Sequence, residues 1–432
     1  MKMPIQKIKT GISGWIQINR WLLVILLLSL VFRLAFVTVF SHWDEGMMMD
    51  SNRYQRVALN INHGRGFTEW GFPTAFSPPL YPFFMAGIFK VFGSSSVPIK
   101  IIQVLLSVLT CACIYWIGNT LFGRLTGLIA AFGIAINPEI IVLAGSLYTE
   151  TLYIFISCLV FAMIVYALKH PDRKIPWAIA GILMGLTILT RHILIFFPLL
   201  LLIIVWVFSS LKRFRKPLLL FNLICYLILV PWIVRHYVIF GQFVPVASGA
   251  GGGLWHGSNQ SFNGNYQYKQ SKKVIARETA GLNRPVDKDR TLLKKSLHSI
   301  SESPAQFAML VVKKYIQFFI QVYEDVPHGE KRERNPIVLI VLMLSYYPVL
   351  MGCIFGIFAY RKQWRILFPL HLVMLYSALI YAMTLVTPRY RIPLYPFMIL
   401  FAGAWVACLL QKQCCQVRCF KNKLLRQKDP LS

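Results

Sequence analysis

The chain has 432 residues, of which 56% are hydrophobic and 14% charged, with a mean hydropathy of +0.58. Soluble domains carry roughly 25% charged residues, so this composition excludes an ordinary soluble fold, and apolar runs of about 20 residues are long enough to cross a bilayer as helices. The net charge of +29 would suggest nucleic acid in a soluble chain. Here no RNA- or DNA-binding module accompanies it, and most of it is explained by membrane orientation and contact with anionic lipid headgroups. The expected class is an all-α polytopic membrane protein that binds no nucleic acid.

In chain order, a basic segment (Lys2, Lys7, Lys9, Arg20) precedes a first apolar run over 21–40. That run exceeds the roughly 7–15 residues of a signal-peptide core and lacks a small-x-small cleavage site, so it reads as an uncleaved span. A first outer segment follows over 41–96. Within it, Asp50, Tyr54, Val57 and Ile61 recur at spacings of three and four, which places them on one helix face. Arg53, Arg56 and Asn60 point away from that face. "HGRGF" (63–67) breaks this helix, and "PTAFSPPLYP" (73–82) leads into a second short apolar helix ending near Gly93. Both are too short to span and are expected in the interface.

Further spans are expected over 97–121, 125–145, 148–168, 175–190, 192–210, 217–240, 336–360, 364–387 and 390–411, about ten with the first. The second outer segment occupies 241–335. It opens on "VPVASGAGGGLWHGSNQSFNGNY" (244–266), continues through a charged stretch able to form helix, and ends in "FAMLVVKKYIQFFIQVYED" (307–325). Lys313 and Lys314 interrupt that last run, which favours an interfacial helix over a span. The chain thus divides into a membrane domain over 1–411 and a basic tail over 412–432.

With the N-terminus inside, every short inner connection is basic: Arg124; Lys169, Arg173 and Lys174; Lys212, Arg213, Arg215 and Lys216; Arg361, Lys362 and Arg365. That is the positive-inside pattern, with both termini cytoplasmic. The acids sort the other way. Only Asp172 and Asp429 fall inside, while Asp44, Glu45, Asp50, Glu69, Glu139, Glu150 and the set from Glu278 to Glu333 lie outside or at outer span ends. His42, His63, His192, His236 and His256 are outside as well. Any chemistry faces outward. The nine cysteines lie in spans or the inner tail, so no outer disulfide framework exists.

Asp50 reads two ways. As an N-cap it starts its helix, worth about 1 kcal/mol; as a surface carboxylate it accepts a proton from an acceptor hydroxyl. In "WDEG" (43–46), Asp44 and Glu45 join Asp50 as a candidate divalent-cation set, although the spacing matches no known metal loop and a solvated turn serves equally. Arg191 closes one span, Arg389 and Arg391 open another in "TPRYRIP", and Arg33 sits in the outer half of the first. Such arginines often snorkel to headgroups, but guanidinium forks also suit phosphate, so a lipid-linked phosphate is a sensible ligand. Trp255, His256 and Asn259 follow a glycine run that is either a flexible loop or part of a sugar-stacking site.

The ordered set "DSNRYQRVALNINHGRGF" (50–67), "PTAFSPPLYPFFMAGIFKVFG" (73–93), "SLYTETLY" (146–153), "LTR" (189–191), "VPVASGAGGGLWHGSN" (244–259) and "RYRIPLYPF" (389–397) resembles the GT-C membrane glycosyltransferases. The resemblance is to the protein O-mannosyltransferase-like branch that includes the aminoarabinose transferases of lipid A. It implies inverting transfer of a sugar from a polyprenyl phosphate to a lipid, glycan or protein acceptor on the extracytoplasmic side; the cysteine-free outer loops and a chain compact for that superfamily point to a bacterial inner membrane. It further implies that Asp50 is the catalytic base or acceptor-orienting carboxylate, with Tyr54 beside it, and that Arg389, Arg391 and Arg191 hold the phosphate. One departure stands out: Ser77 lies near the position where the aminoarabinose transferases carry a Glu. A second carboxylate then comes from elsewhere, with Glu150 a candidate, or is not needed. The rival classes are a transporter or lipid flippase and a lipid-linked glycan polymerase or ligase. Transporters gather ionisable groups near the midplane, whereas here they gather at the outer surface.

Overall fold

The structure, a computed structural model, describes residues 12–40, 49–259, 268–282, 284–322 and 335–426. These residues form seventeen α-helices: α1 Ile12–Val39, α2 Met49–Asn62, α3 Leu80–Phe92, α4 Val97–Phe122, α5 Arg124–Ile136, α6 Pro138–Ala144, α7 Thr149–Lys169, α8 Lys174–Thr190, α9 Phe197–Val207, α10 Arg215–Phe240, α11 Ala250–Ser258, α12 Tyr268–Glu278, α13 Pro285–Glu302, α14 Pro304–Ile320, α15 Pro336–Ala359, α16 Trp364–Met383 and α17 Tyr395–Arg426. A two-stranded hairpin, Thr68–Glu69 against Phe72–Pro73, is the one sheet among the described residues.

Seven helical stretches are long and apolar enough to cross a membrane, and α5 with α6 makes an eighth, bent by 61°. The chain is therefore a multi-pass helical membrane protein. The expected ten spans are not reached on this measure, because 175–190 and 192–210 resolve into shorter helices, Lys174–Thr190 and His192–Val207. At about 1.5 Å per residue the first is some 25 Å long, less than a hydrocarbon core of about 30 Å.

The bend between α5 and α6 has a clear cause. Pro138 cannot continue the α5 ladder, and the side chain of Asn137 accepts from the backbone N–H of Ile140 to start α6. The last carbonyls of α5 are left open and Arg33 fills them. It donates to Ile134 O at 3.1 Å and Ala135 O at 3.0 Å, and also to Ser107 Oγ at 2.7 Å and Ser29 Oγ at 2.6 Å. Arg33 is fully buried, so the headgroup-snorkelling alternative does not describe it.

The first outer segment is clamped to the end of α10. Arg235 donates to Phe67 O at 3.0 Å and Thr74 O at 3.3 Å, and its guanidinium lies over Trp232. Trp232 Nε1 donates to Val246 O, and Ser248 N donates to Ala75 O. In the hairpin Trp70 takes φ 55° and Gly71 φ 81°, a left-handed pair suited to a tight two-residue turn. Arg56 stacks on Trp70 at 3.8 Å, holding a conformation that non-glycine residues seldom adopt.

Candidate active site

Glu150, at the N-terminus of α7, is fully buried and makes two charge-assisted contacts: Arg191 Nη1 at 2.8 Å and Arg389 Nε at 2.5 Å. Its other oxygen accepts from Thr149 Oγ1 at 3.1 Å. A buried carboxylate persists only when paired and hydrogen-bonded in this way. Arg389 reaches outward as well, with Nη1 3.6 Å from Asp50 Oδ2. Asp50 stands in the first turn of α2, where an acid suits the helix dipole, and its side chain is 45% exposed. Two carboxylates and two guanidiniums thus form a chain from the buried Glu150 to the solvent-facing Asp50.

Aromatic groups wall this chain. The Arg389 guanidinium lies 3.5 Å over the Tyr148 ring. Arg191 donates to Tyr381 Oη at 3.3 Å and sits near the rings of Tyr153 and Tyr390, while Tyr381 and Tyr390 stack at 4.8 Å. Tyr54, one turn after Asp50, meets Tyr81 edge-on at 5.3 Å. Burial first, then the charge of Asp50, holds its phenol well above the usual tyrosine range.

On the open side, Arg53 contacts Asp50 at 3.8 Å and Glu69 at 3.2 Å, and its guanidinium lies 4.0 Å over Phe76. Ser77 is buried beside Phe76. Every group of the chain comes from the end of the bundle formed by the end of α8 and the end of α16, with the starts of α2 and α7 and the Pro388–Leu394 turn. At the opposite end Lys169 Nζ donates to Thr120 O at 2.6 Å, among the basic connections.

Arg391 stands apart from this chain. It is buried under Tyr346 at 3.6 Å, donates to Phe318 O at 3.3 Å and to Gln321 O, and contacts Tyr395 Oη, which in turn donates to Glu139 at 2.5 Å. Its position anchors the end of α14 to the start of α17. Asp44 and Glu45 lie outside the described residues. Among the described residues no group of three or more His, Cys, Asp or Glu is placed to hold a metal ion.

Trp255, His256 and Asn259 belong to or directly follow α11, so the glycine run is helical. Small residues let α11 pack closely: a Cβ on Gly251 would lie 2.1 Å from Asp289 O, and one on Gly257 would lie 1.8 Å from Met383 O. Gly252 N donates to Asp289 Oδ1 at 2.9 Å. Trp255 and Asn259 line a cavity of about 290 Å³ with Ser258, Lys295 and Ser299. The link to the arginines is the end of α16, where Tyr381 meets Arg191 while Thr384 O, with Gly257 O, accepts from Lys314 Nζ at 3.2 and 3.0 Å. Burial, then the charge of Lys314, pushes His256 down to about 4.

Sequence reasoning missed Tyr148, Tyr153, Tyr381 and Tyr390. Their signal was the tyrosines repeated at outer span ends in "SLYTETLY" and around "TPRYRIP".

The architecture is that of a polytopic helical membrane protein with its charged cluster at one end of the bundle. Residues 77–234 match the dolichyl-phosphate-mannose-protein mannosyltransferase family. In fold, the chain is similar to the oligosaccharyltransferase AglB from Archaeoglobus fulgidus. Against the form in complex with an inhibitory peptide and a dolichol-phosphate, the TM-score is 0.56 at 16% identity, covering 95% of this chain and 52% of that one. Against an apo Archaeoglobus fulgidus oligosaccharyltransferase it is 0.57 at 14% identity, covering 95% and 53%. ArnT from Cupriavidus metallidurans, bound to undecaprenyl phosphate, aligns at 0.44 and 14% identity over 92% of this chain and 78% of that one. The chain spans about half the length of the oligosaccharyltransferases it matches. No curated protein matches it.

Proposed function

We propose that this chain transfers a sugar from a polyprenyl-phosphate carrier to an acceptor hydroxyl on the extracytoplasmic face of the inner membrane, inverting the anomeric centre. The observation that carries this reading is Arg389, which spans 2.5 Å to the buried Glu150 and 3.6 Å to the exposed Asp50. With the basic connections inside, this cluster lies outside and both termini are cytoplasmic. The dolichyl-phosphate-mannose named by the matching family, and the dolichol-phosphate bound by AglB, support a polyprenyl-phosphate donor.

Each charged group then has a role. The acceptor oxygen attacks the anomeric carbon; the new C–O bond forms as the bond to the phosphate oxygen breaks. The acceptor proton passes to Asp50, the more accessible carboxylate. The leaving phosphate takes the electron pair and is held by Arg191 and Arg389, whose forks suit phosphate oxygens. Glu150 is a positioning residue: its lone pairs are committed to the two arginines, and it fixes them before the donor arrives. The cavity beside Trp255 and Asn259 supplies an aromatic face, one amide and the Ser258 and Ser299 hydroxyls for a sugar.

The test is transfer from radiolabelled polyprenyl-phosphate sugars in membranes carrying wild type or Asp50→Asn. Product with inverted configuration in wild type, and its loss in the variant, is expected. Undiminished transfer by Asp50→Asn overturns the base assignment alone. No transfer from any such donor, accompanied by solute uptake, overturns the whole reading in favour of a transporter.

A further inference from the structure

We infer that the end of the bundle opposite the Glu150 cluster holds a built binding site for an anionic glycerophospholipid. Lys174, Lys212, Arg213, Arg215 and Lys216 converge there with Trp206 on a cavity of about 750 Å³. They come from the start of α8, the Ser209–Phe214 turn and the start of α10. Asp172 is the one acid in the lining, and among the described residues none of the five cations is ion-paired. Arg215 is braced by donating to Trp206 O at 2.9 Å, with the indole 4.9 Å below its guanidinium. Positive-inside topology calls for basic residues in this connection but not for their convergence on one cavity.

A second feature points to a lipid rather than a free anion. An apolar groove of about 430 Å³ runs down α10 from the same cavity, and Leu219 lines both. Leu219, Leu223, Leu227 and Val230 are exposed along it at helical spacings that keep them on one face. From Leu219 to Val230 the groove descends about 16 Å at 1.5 Å per residue, close to one leaflet of a hydrocarbon core about 30 Å thick. A phosphate beside the cations and one acyl chain in the groove match that head-to-tail geometry. A polyprenyl chain is far longer than one leaflet. Guanidinium and ammonium groups at the membrane edge attract anionic headgroups, and a cluster of five makes this edge selective.

The full chain, purified and exchanged into detergent, is titrated with phosphatidylglycerol, phosphatidylcholine, undecaprenyl phosphate or inorganic phosphate, and bound ligand is counted by native mass spectrometry. Phosphatidylglycerol is expected to bind at least tenfold tighter than phosphatidylcholine. A head variant (Lys212→Gln, Arg213→Gln, Lys216→Gln) is expected to abolish that preference. A tail variant (Leu223→Ser, Leu227→Ser), at positions 67% and 61% exposed and so outside the core, is expected to weaken binding several-fold with the fold intact. Equal retention of both phospholipids, or undecaprenyl phosphate binding that the head variant abolishes, overturns the proposal. So does inorganic phosphate displacing the lipid at equal concentration, or a tail variant without effect, since either reduces the site to a phosphate site. None of these outcomes bears on sugar transfer.

Discussion

Arg389 and Arg391 stand two residues apart in one 3-10 turn and face different neighbours. Arg389 reaches Glu150 and Asp50, while Arg391 reaches Phe318 O and Gln321 O on the α14 side. The first belongs to the candidate active site; the second holds two elements together. Their substitution should therefore give different phenotypes.

Arg389→Lys should raise the donor KM about tenfold or more while the protein stays folded, because a lysine cannot reproduce the fork or the stacking on Tyr148. Arg391→Lys should leave the donor KM near wild type and lower thermal stability. Initial rates over a donor series, with melting curves in detergent, separate the two.

Asp50→Asn should lower kcat by about 100-fold or more, the usual scale of general-base catalysis, with an unchanged melting temperature. Asp50 lies inside α2, after Met49, and is therefore not its N-cap; Asp50→Ser keeps an oxygen in that first turn without the carboxylate and should be as inactive as the amide. Activity in the serine variant close to wild type would reduce Asp50 to a partner of the helix dipole.

Glu150→Gln should destabilise the chain by about 3–5 kcal/mol, the cost of breaking a buried pair from one side, because two guanidiniums lose the carboxylate that they share. Glu150→Asp should recover part of that loss. Thermal unfolding in detergent reads both.

Gly257→Ala should cost about 1–3 kcal/mol, since its methyl would lie 1.8 Å from Met383 O. In the same helix Gly253→Ala meets only Thr384 carbons at 3.6 Å and should be neutral or stabilising by up to about 1 kcal/mol through helix propensity. The pair is read by melting temperature.

The seating of α11 should weaken in acid. His256 is held neutral in the fold at about 4, below its ordinary 6.5, so the unfolded segment binds the proton more readily. Its contribution is complete above pH 6.5 and is lost as pH falls toward 4. Hydrogen-exchange protection factors over 250–259, corrected for the intrinsic pH dependence of exchange, should fall across that window in wild type, and His256→Gln should flatten the response.

Much of the fold was legible from apolar run length, the first outer helix from the spacing of Asp50, Tyr54, Val57 and Ile61, and the second from its turn-rich entry. The bend after Ile136 was not, because its Asn137–Pro138 break sits inside a continuous apolar run and is completed by Arg33, which bonds Ile134 O from 101 residues earlier in the chain. At the site, Asp50 and Tyr54 could be placed on one face from local periodicity. The pairing of Glu150 with Arg389, 239 residues apart, has no local signal. Proximity in sequence grouped Arg389 with Arg391, and the tight turn that aims them apart is invisible at that level. The glycines before Trp255 suggested a flexible loop; instead they lie in α11, packed against Asp289 and Thr384.

The Arg33 contacts also impose an order of assembly. Its partners Ser107, Ile134 and Ala135 lie 74 to 102 residues downstream, so a chain threaded N-terminus first commits α1 before they exist. An unsatisfied arginine in the hydrocarbon costs at least about 2.5–3.5 kcal/mol. The first helix is thus a provisional insertion, made permanent only when the bent fifth and sixth helices dock and take up its charge.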